Sequence, residues 1–151
     1  MFTPLKLNFF LLVKLPSAYF SGVRLKSIDE QEVVVTVRHR WINQNPFKSM
    51  YWATQGMASE LTTGILVMKE ISATGKKFSM LVTEQKGTFT KKALGKITFT
   101  CKEGAKIRDA IELAIKTGEG QVIKLISEGF DEIGDKVSLF EYQWSIKLKI
   151  D

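Results

Sequence analysis

The sequence is poor in the residues from which many familiar active sites are built. Among its 151 residues there is one cysteine, Cys101, and one histidine, His39. A single cysteine excludes an intrachain disulfide, and neither residue has a like partner with which to build a metal site. We therefore interpret Cys101 as a small buried hydrophobic residue and His39 as a surface or packing residue. We predict no metal ion and no resident cofactor.

Several sequence motifs are missing as well. The chain has no phosphate-binding Gly-x-x-x-x-Gly-Lys-Ser/Thr loop, no Gly-x-Gly-x-x-Gly sequence at the start of a helix and no Gly-x-Ser-x-Gly turn. These absences argue against a P-loop nucleotidase, a dinucleotide-binding fold and an α/β-hydrolase.

Long apolar runs are also absent. The apolar run at residues 9–13 is ended by Lys14, whereas a signal peptide needs a longer apolar core and a membrane span needs about 20 apolar residues. Thr3 and Pro4 are typical of the first residues of a helix, and Pro16 is typical of a residue that stops one. We expect a short N-terminal helix in a cytoplasmic protein, with no export signal and no membrane span.

Positive charge is in excess. Lysine and arginine number 22 against 16 aspartates and glutamates, which gives a net charge of +6. This excess favours an anionic ligand but does not distinguish a nucleic acid, a membrane surface or a phosphorylated small molecule. The length and the hydrophobic content of 44% fit a single domain, residues 1–151, with a core of its own.

The most informative stretch is residues 49–68, in which Glu60 is the one charged residue. Its apolar and small residues recur at three- and four-residue spacing, which predicts a helix. The opposite side of this helix is uncharged too. A helix without a charged face is normally enclosed by the rest of the protein or by a partner.

Segments typical of β-strands lie on both sides of this helix. The predicted strands are residues 22–26, 33–37, 78–90, 95–103, 121–127 and 140–150. A short amphipathic helix is predicted from Ile107 to about Gly118. Strands that follow one another around one long helix predict an α+β fold with a largely antiparallel sheet.

Glu60 stands out because a carboxylate on an enclosed helix is rare unless it is paired or functional. On a helical wheel it lies close to Ala53 and Gly64 and flanks Gly56, and these small residues leave room for a ligand. We predict a carboxylate in a pocket, acting as general base or nucleophile. The alternative is that Glu60 is exposed, or is satisfied by a lysine or a backbone amide.

Asn45 precedes the predicted helix by a few residues. It could be a plain N-cap, with Pro46 in the first turn. The helix start also offers free backbone N–H groups and the positive end of the helix dipole, which can stabilise an oxyanion that develops on a carbonyl.

These residues resemble the hotdog-fold thioesterase superfamily. The resemblance rests on residues 45–53, Asn-Pro-Phe-Lys-Ser-Met-Tyr-Trp-Ala, and on residues 58–60, Ala-Ser-Glu. Thioesterases of the phenylacetate-pathway type carry an Asn, then His-Gly-Gly at the start of the central helix, then an acid on that helix. Asn45, Tyr51 and Glu60 stand at the matching positions. The chain looks most like the uncharacterised thioesterase-like branch, which begins with a short helix and keeps the Asn and the acid but not the His.

The resemblance implies a hotdog fold, in which a long central helix is wrapped by a curved antiparallel sheet. It also implies a homodimer or a dimer of dimers, with each site between subunits. The implied substrate is an acyl group joined to coenzyme A or to a carrier protein, so coenzyme A enters as part of the substrate. Lys91 and Lys92, at a turn between strands, are then candidates for phosphate contacts; otherwise they are solvated surface lysines.

The resemblance also implies roles for single residues. Glu60 would activate water or attack the thioester, and Asn45 would hold that water or orient Glu60. The backbone N–H of Trp52 would donate to the thioester oxygen. The predicted substrate contacts are Tyr51, Ala53 and Gly56.

The chain departs from the family where Tyr51 replaces the His and Trp52-Ala53 replaces Gly-Gly. Hydrolysis of an acyl thioester with Glu60 as base or nucleophile is therefore the first of three hypotheses. The second is a non-catalytic protein that binds an acyl group or acyl-CoA, favoured by the bulky Tyr51-Trp52 pair. The third is a basic nucleic-acid-binding module. We expect no specific nucleic-acid partner, because the lysines are scattered among acidic residues and no recognition motif is visible.

Overall fold

The computed structural model describes residues 2–149 and begins with two short helices, α1 (Pro4–Lys14) and α2 (Pro16–Phe20). The first residues of α1 are as predicted, since the Thr3 hydroxyl accepts a hydrogen bond from the Lys6 N–H at 3.4 Å. The helix ends at Lys14, just before Pro16. Pro16 then occupies the first turn of α2, because its fixed φ suits a helix start as well as a helix stop.

Six strands form one antiparallel sheet. They are β1 (Arg24–Ile28), β2 (Val33–Arg38), β3 (Phe78–Phe89), β4 (Lys96–Cys101), β5 (Gln121–Phe130) and β6 (Lys136–Leu148), in the spatial order β1-β2-β4-β5-β6-β3. Every predicted strand is present, with ends displaced by a few residues. Ile150, which was predicted to close the last strand, lies outside the described residues.

The long helix α3 (Trp52–Ala73) packs against β2, β4, β5 and β6 and is flanked by α4 (Gly104–Thr117). It starts three residues later than predicted, because Met50 pairs with Gln44 in a β-bridge and its N–H donates to the Ala93 carbonyl. It also continues five residues farther than predicted. The expectation of an α+β fold with a long helix against an antiparallel sheet is confirmed.

Buried polar side chains join α3 to the sheet and explain how an uncharged helix is enclosed. Ser59 Oγ lies 2.6 Å from the Tyr142 hydroxyl, and Thr62 Oγ1 donates to Ser127 Oγ at 2.9 Å. One turn on, the Trp144 indole N–H donates to Thr63 Oγ1 at 3.0 Å. Each bond satisfies a buried polar group from both elements, which makes the uncharged helix compatible with burial.

The cysteine and the histidine belong to the sheet and to the segment that follows one of its strands. Cys101 is fully buried on β4, as interpreted from the sequence, and this burial raises the pKa of its thiol to about 12. His39 follows β2 and donates its backbone N–H to the Gly95 carbonyl at 2.7 Å, while its buried Nε2 has no partner among residues 2–149. None of the helices in this range is long and apolar enough to cross a membrane.

Candidate functional site

One side of α3 is left open between the sheet and α1, and Glu60 lies at its middle. The open side carries Ala53, Gly56, Met57 and Glu60, one or two helical turns apart. Together with Trp52, and with Val82, Gln85 and Tyr142 of the sheet, they line a hollow of about 420 Å³, the central cavity. Four of the predicted site residues are therefore brought together, those at positions 52, 53, 56 and 60.

Within residues 2–149 the Glu60 carboxylate has no neutralising partner. Among residues 2–149 no lysine, arginine, hydroxyl or backbone amide lies within hydrogen-bonding or ion-pair distance of its side chain, and burial raises its pKa above the ordinary glutamate value. The two alternatives considered from the sequence, that Glu60 is exposed or that a lysine or a backbone amide satisfies its carboxylate, do not describe this environment. Because water is largely excluded and no cation compensates, the proton-bound form is favoured relative to a solvated glutamate.

A second hollow lies on the other side of Glu60, and we call it the apolar cavity. It measures about 190 Å³ and lies between α1, α3 and the strands β3 and β6. Apart from Glu60 and from Lys14 on α1, its walls are apolar. They include Phe10, Leu15, Ile65, Met68, Met80 and Trp144.

A third hollow, the helix-start cavity, lies before α3. It measures about 490 Å³, and its walls include Asn45, Phe47, Tyr51, Trp52, Lys91 and Lys92. Tyr51 is the N-cap of α3 but makes no side-chain capping bond, and its carbonyl accepts from Thr54 and Gln55. The N–H groups of Trp52 and Ala53 have no acceptor among the described residues, so they remain available to an oxyanion.

Asn45 is neither an N-cap nor a neighbour of Glu60. Its Oδ1 accepts from the N–H groups of Phe47 at 3.0 Å and Ser49 at 3.2 Å, and its Nδ2 donates to Ser49 Oγ at 3.1 Å. These bonds fold the loop that leads into α3. Asn45 lines the helix-start cavity, whereas Glu60 lines the other two, so the expectation that Asn45 orients Glu60 is not met within one protomer.

The two candidate phosphate-binding lysines differ in their surroundings. Lys91 Nζ lies 2.7 Å from a carboxylate oxygen of Asp131 and 2.7 Å from one of Asp135, and these hydrogen bonds raise its pKa. Its charge is therefore already compensated. Lys92 Nζ donates at 3.3 Å to the Phe47 carbonyl and forms no ion pair with a carboxylate of the described part of the chain. Lys92 is the better placed of the two for an anionic ligand.

Several residues of the site come from segments that sequence reasoning did not connect with Glu60. Tyr142 belongs to the buried face of a predicted strand, but the pattern gave no indication that its hydroxyl meets α3. The same holds for Val82 and Gln85 of β3 and for Phe10 of α1. No group of three or more His, Cys, Asp or Glu side chains within residues 2–149 is arranged to hold a metal ion.

Solved structures with the same fold extend over nearly the whole chain. A Pseudomonas aeruginosa protein of unknown function, described as a probable thioesterase, superimposes with a TM-score of 0.83 at 22% identity over 99% of both chains. A Chlorobaculum tepidum protein with unknown function has a TM-score of 0.81 at 17% identity, covering 95% of this chain and 93% of its own. A Haemophilus influenzae thioesterase has a TM-score of 0.74 at 12% identity, covering 100% and 94%. No protein of curated function matches the sequence.

At these identities the likeness establishes the fold, and the hotdog fold expected from the resemblance is confirmed. The molecule is thus a hotdog-fold protein. Residues 6–146 match the model of one family, described as a domain of unknown function, DUF4442, and the chain belongs to that family.

Proposed function

We propose that this protein hydrolyses an acyl thioester of coenzyme A or of an acyl carrier, with Glu60 as base or nucleophile. The observation that carries the proposal is the carboxylate of Glu60, which has no partner within residues 2–149, has a raised pKa and borders two cavities on the open side of α3. A carboxylate that no cation neutralises keeps its basicity toward water and its nucleophilicity toward a carbonyl carbon. The structural relatives named as thioesterases share this fold.

Either role of Glu60 consumes one water and yields one carboxylic acid and one thiol. As a base, Glu60 takes a proton from water while the water oxygen attacks the carbonyl carbon, and the carbon–sulfur bond then breaks. As a nucleophile, its oxygen forms a mixed anhydride, releases the thiol and is freed by water. Both routes pass through an oxyanion that needs a hydrogen-bond donor.

The free backbone N–H groups at the start of α3 lie far from Glu60 along the helix. Glu60 follows Trp52 by eight residues of α3, which is about 12 Å along a helix axis. One thioester carbonyl therefore cannot touch both groups in one protomer. A second copy whose α3 start faces Glu60 would supply the missing donor, and we propose a homodimer, alone or paired into a tetramer, on this ground.

The edge of the sheet fits such pairing. Eleven of the twelve residues of β3 pair with β6 on one side, and no strand in residues 2–149 pairs with the other side. Leu81 and Phe89 of this strand are 63% and 48% exposed, and the central cavity opens beside it. An open strand edge is a template for a further strand.

Thiol release from a panel of acyl-CoA esters tests the activity. We expect turnover by the wild type and a loss of at least about 100-fold in Glu60→Gln, the usual scale for an acid–base group. Glu112→Gln is the matched control, because Glu112 is an exposed carboxylate on α4. A folded wild-type protein that releases no thiol from any ester of the panel would refute the proposal.

Mixed dimers test whether the site spans two subunits. Trp52→Pro removes the N–H at a position where proline suits a helix, and Trp52→Ala keeps the N–H as its control. If the partner subunit's Trp52 serves Glu60, mixing inactive Trp52→Pro with inactive Glu60→Gln restores about a quarter of the activity after random exchange into C₂ dimers. If both groups act within one chain, mixing restores none.

A non-catalytic acyl-CoA binder is the second candidate. The observation that favours it is Trp52, whose half-exposed indole lies edge-on against Tyr51 at 5.7 Å between ring centroids and borders both the helix-start and the central cavity. This bulk narrows the approach to the backbone amide. Saturable binding of acyl-CoA by wild type and Glu60→Gln alike, with no thiol release by either, would favour this candidate.

A further inference from the structure

We infer that the apolar cavity beyond Glu60 holds the hydrocarbon part of the acyl group and limits it to about six to eight carbons. The inference rests on the proposed thioester substrate and names its acyl class. It is carried by the lining of this cavity, by its size and by its position against Glu60.

The lining suits a hydrocarbon. Apart from the Glu60 carboxylate and the Lys14 ammonium group, the lining has one polar side-chain group, the indole N–H of Trp144, which donates to Thr63 Oγ1 at 3.0 Å. Every other lining side chain is apolar, so Glu60 and Lys14 are the only wall residues of this cavity whose side chains could offer a ligand a charge or a free hydrogen bond. The central cavity differs, because Gln85 and the Tyr142 hydroxyl border it.

The size limits the chain. The apolar cavity measures about 190 Å³, somewhat more than an apolar cavity of about 150 Å³ that accommodates benzene. A hydrocarbon of about six to eight carbons, linear or cyclic, fits a space of that order. The central cavity, at about 420 Å³, is wider and lies beside the free edge of the sheet, so it sets no comparable limit.

Gly64 keeps the apolar cavity connected to Glu60. A Cβ at this position would lie 3.2 Å from Glu60 Oε1 and 3.3 Å from a ring carbon of Trp144. Any other residue would therefore narrow the passage between the carboxylate and the cavity. With the thioester carbonyl at Glu60, the first carbons of the acyl group would pass over Gly64.

Two methionines of α3 provide a matched pair for the test. Met68 lines the apolar cavity and Met57 lines the central cavity, and both side chains are partly exposed. The ligands are S-alkyl-CoA thioethers with two to fourteen carbons, which cannot be hydrolysed. Binding is measured by calorimetry on the full-length protein.

For the wild type we expect affinity to rise about fourfold with each methylene, the value of one buried CH₂, and to level off near six to eight carbons. Met68→Ala should move this plateau two to three carbons longer, and Met68→Trp should move it shorter. Met57→Ala should leave its position unchanged.

A plateau that stays in place in both Met68 variants, or that moves in Met57→Ala, would overturn the inference, as would the absence of thioether binding at every length. The proposed hydrolysis fails separately. If the plateau shifts in the Met68 variants but the protein releases no thiol, the cavity assignment stands and the proposed hydrolysis is refuted. If the protein releases thiol from acyl-CoA esters but binding does not depend on chain length, the hydrolysis stands and the cavity assignment is refuted.

Discussion

Replacing Gly64 by alanine should separate the stability of α3 from the placement of its carboxylate. Glycine inside a helix is about 1 kcal/mol less favourable than alanine, so an unhindered Gly→Ala change would stabilise the protein by about that amount. At Gly64 the added Cβ meets Glu60 Oε1 at 3.2 Å and the Trp144 ring at 3.3 Å. Contacts this close require a neighbour to move, and overpacking of this kind costs about 1–2 kcal/mol. We expect a net change between zero and about 1 kcal/mol of destabilisation.

Gly56→Ala is the control, because the nearest atom to its added Cβ is a ring carbon of Phe140 at 4.0 Å. This variant should be more stable than wild type by about 0.5–1 kcal/mol, the ordinary helix-propensity gain. Urea unfolding of the two variants should therefore differ by about 0.5–2 kcal/mol, with alanine at position 64 the less stable.

The activity of Gly64→Ala should fall by about 10-fold, because the indole of Trp144 is held by Thr63 and the carboxylate of Glu60 is the group free to give by a few tenths of an ångström. A misplacement of a full 1 Å costs about 100-fold. Thiol release from an acyl-CoA ester measures the loss of activity. Stability equal to that of Gly56→Ala together with wild-type turnover would refute the reasoning, since the Cβ would then meet neither neighbour.

Three further changes test the packing around the site. Burial raises the pKa of Glu60, so the wild type should lose stability as pH rises from the ordinary glutamate pKa through the raised pKa of the folded state. Glu60→Gln should therefore have a higher melting temperature than wild type at pH 8 and the same melting temperature below pH 4. A difference in melting temperature that does not change with pH would contradict this. The Tyr142 hydroxyl donates to the Gly56 carbonyl at 3.0 Å, so Tyr142→Phe should lower the free energy of unfolding by about 1 kcal/mol, and an unchanged urea midpoint would show that the bond contributes nothing. A Cβ on Gly129 would lie 2.5 Å from the fully buried ring of Phe99, so Gly129→Ala should lower the free energy of unfolding, measured in urea, by about 2 kcal/mol or more. A loss below about 0.5 kcal/mol, the size of an ordinary surface change, would mean that the ring moves freely.

Local sequence patterns were sufficient to predict the helices and strands, but they were insufficient to predict the residues at which these elements begin and end. The alternation that predicted the last strand and the spacing that predicted α3 are properties of neighbouring residues, and both elements formed. The start of α3 was misplaced because Met50 is held by a bridge to Gln44 and a bond to Ala93. Such a contact between distant segments leaves no mark in a helical pattern.

The candidate site was predictable as far as it lies on one helix. Glu60 and the small residues near it share a face of α3 because they share its period, so a wheel identifies them. The compensation of Lys91 by Asp131 and Asp135 depends on the turn after β5, some forty residues away. The apolar cavity depends on α1, and no periodicity predicts that α1 and α3 line the same space.

The hydrogen bonds from Ser59, Thr62 and Thr63 to the sheet fix where α3 stands along its own axis. A helix held by apolar packing alone tolerates rearrangement before it loses stability. Here a slip of one turn, about 5.4 Å, would leave buried groups such as the Trp144 N–H and the Ser127 hydroxyl without partners. These hydrogen bonds thus fix the position of α3 along its axis. Because Glu60 lies in the same turns of the helix, they also fix the position of its carboxylate group relative to the sheet.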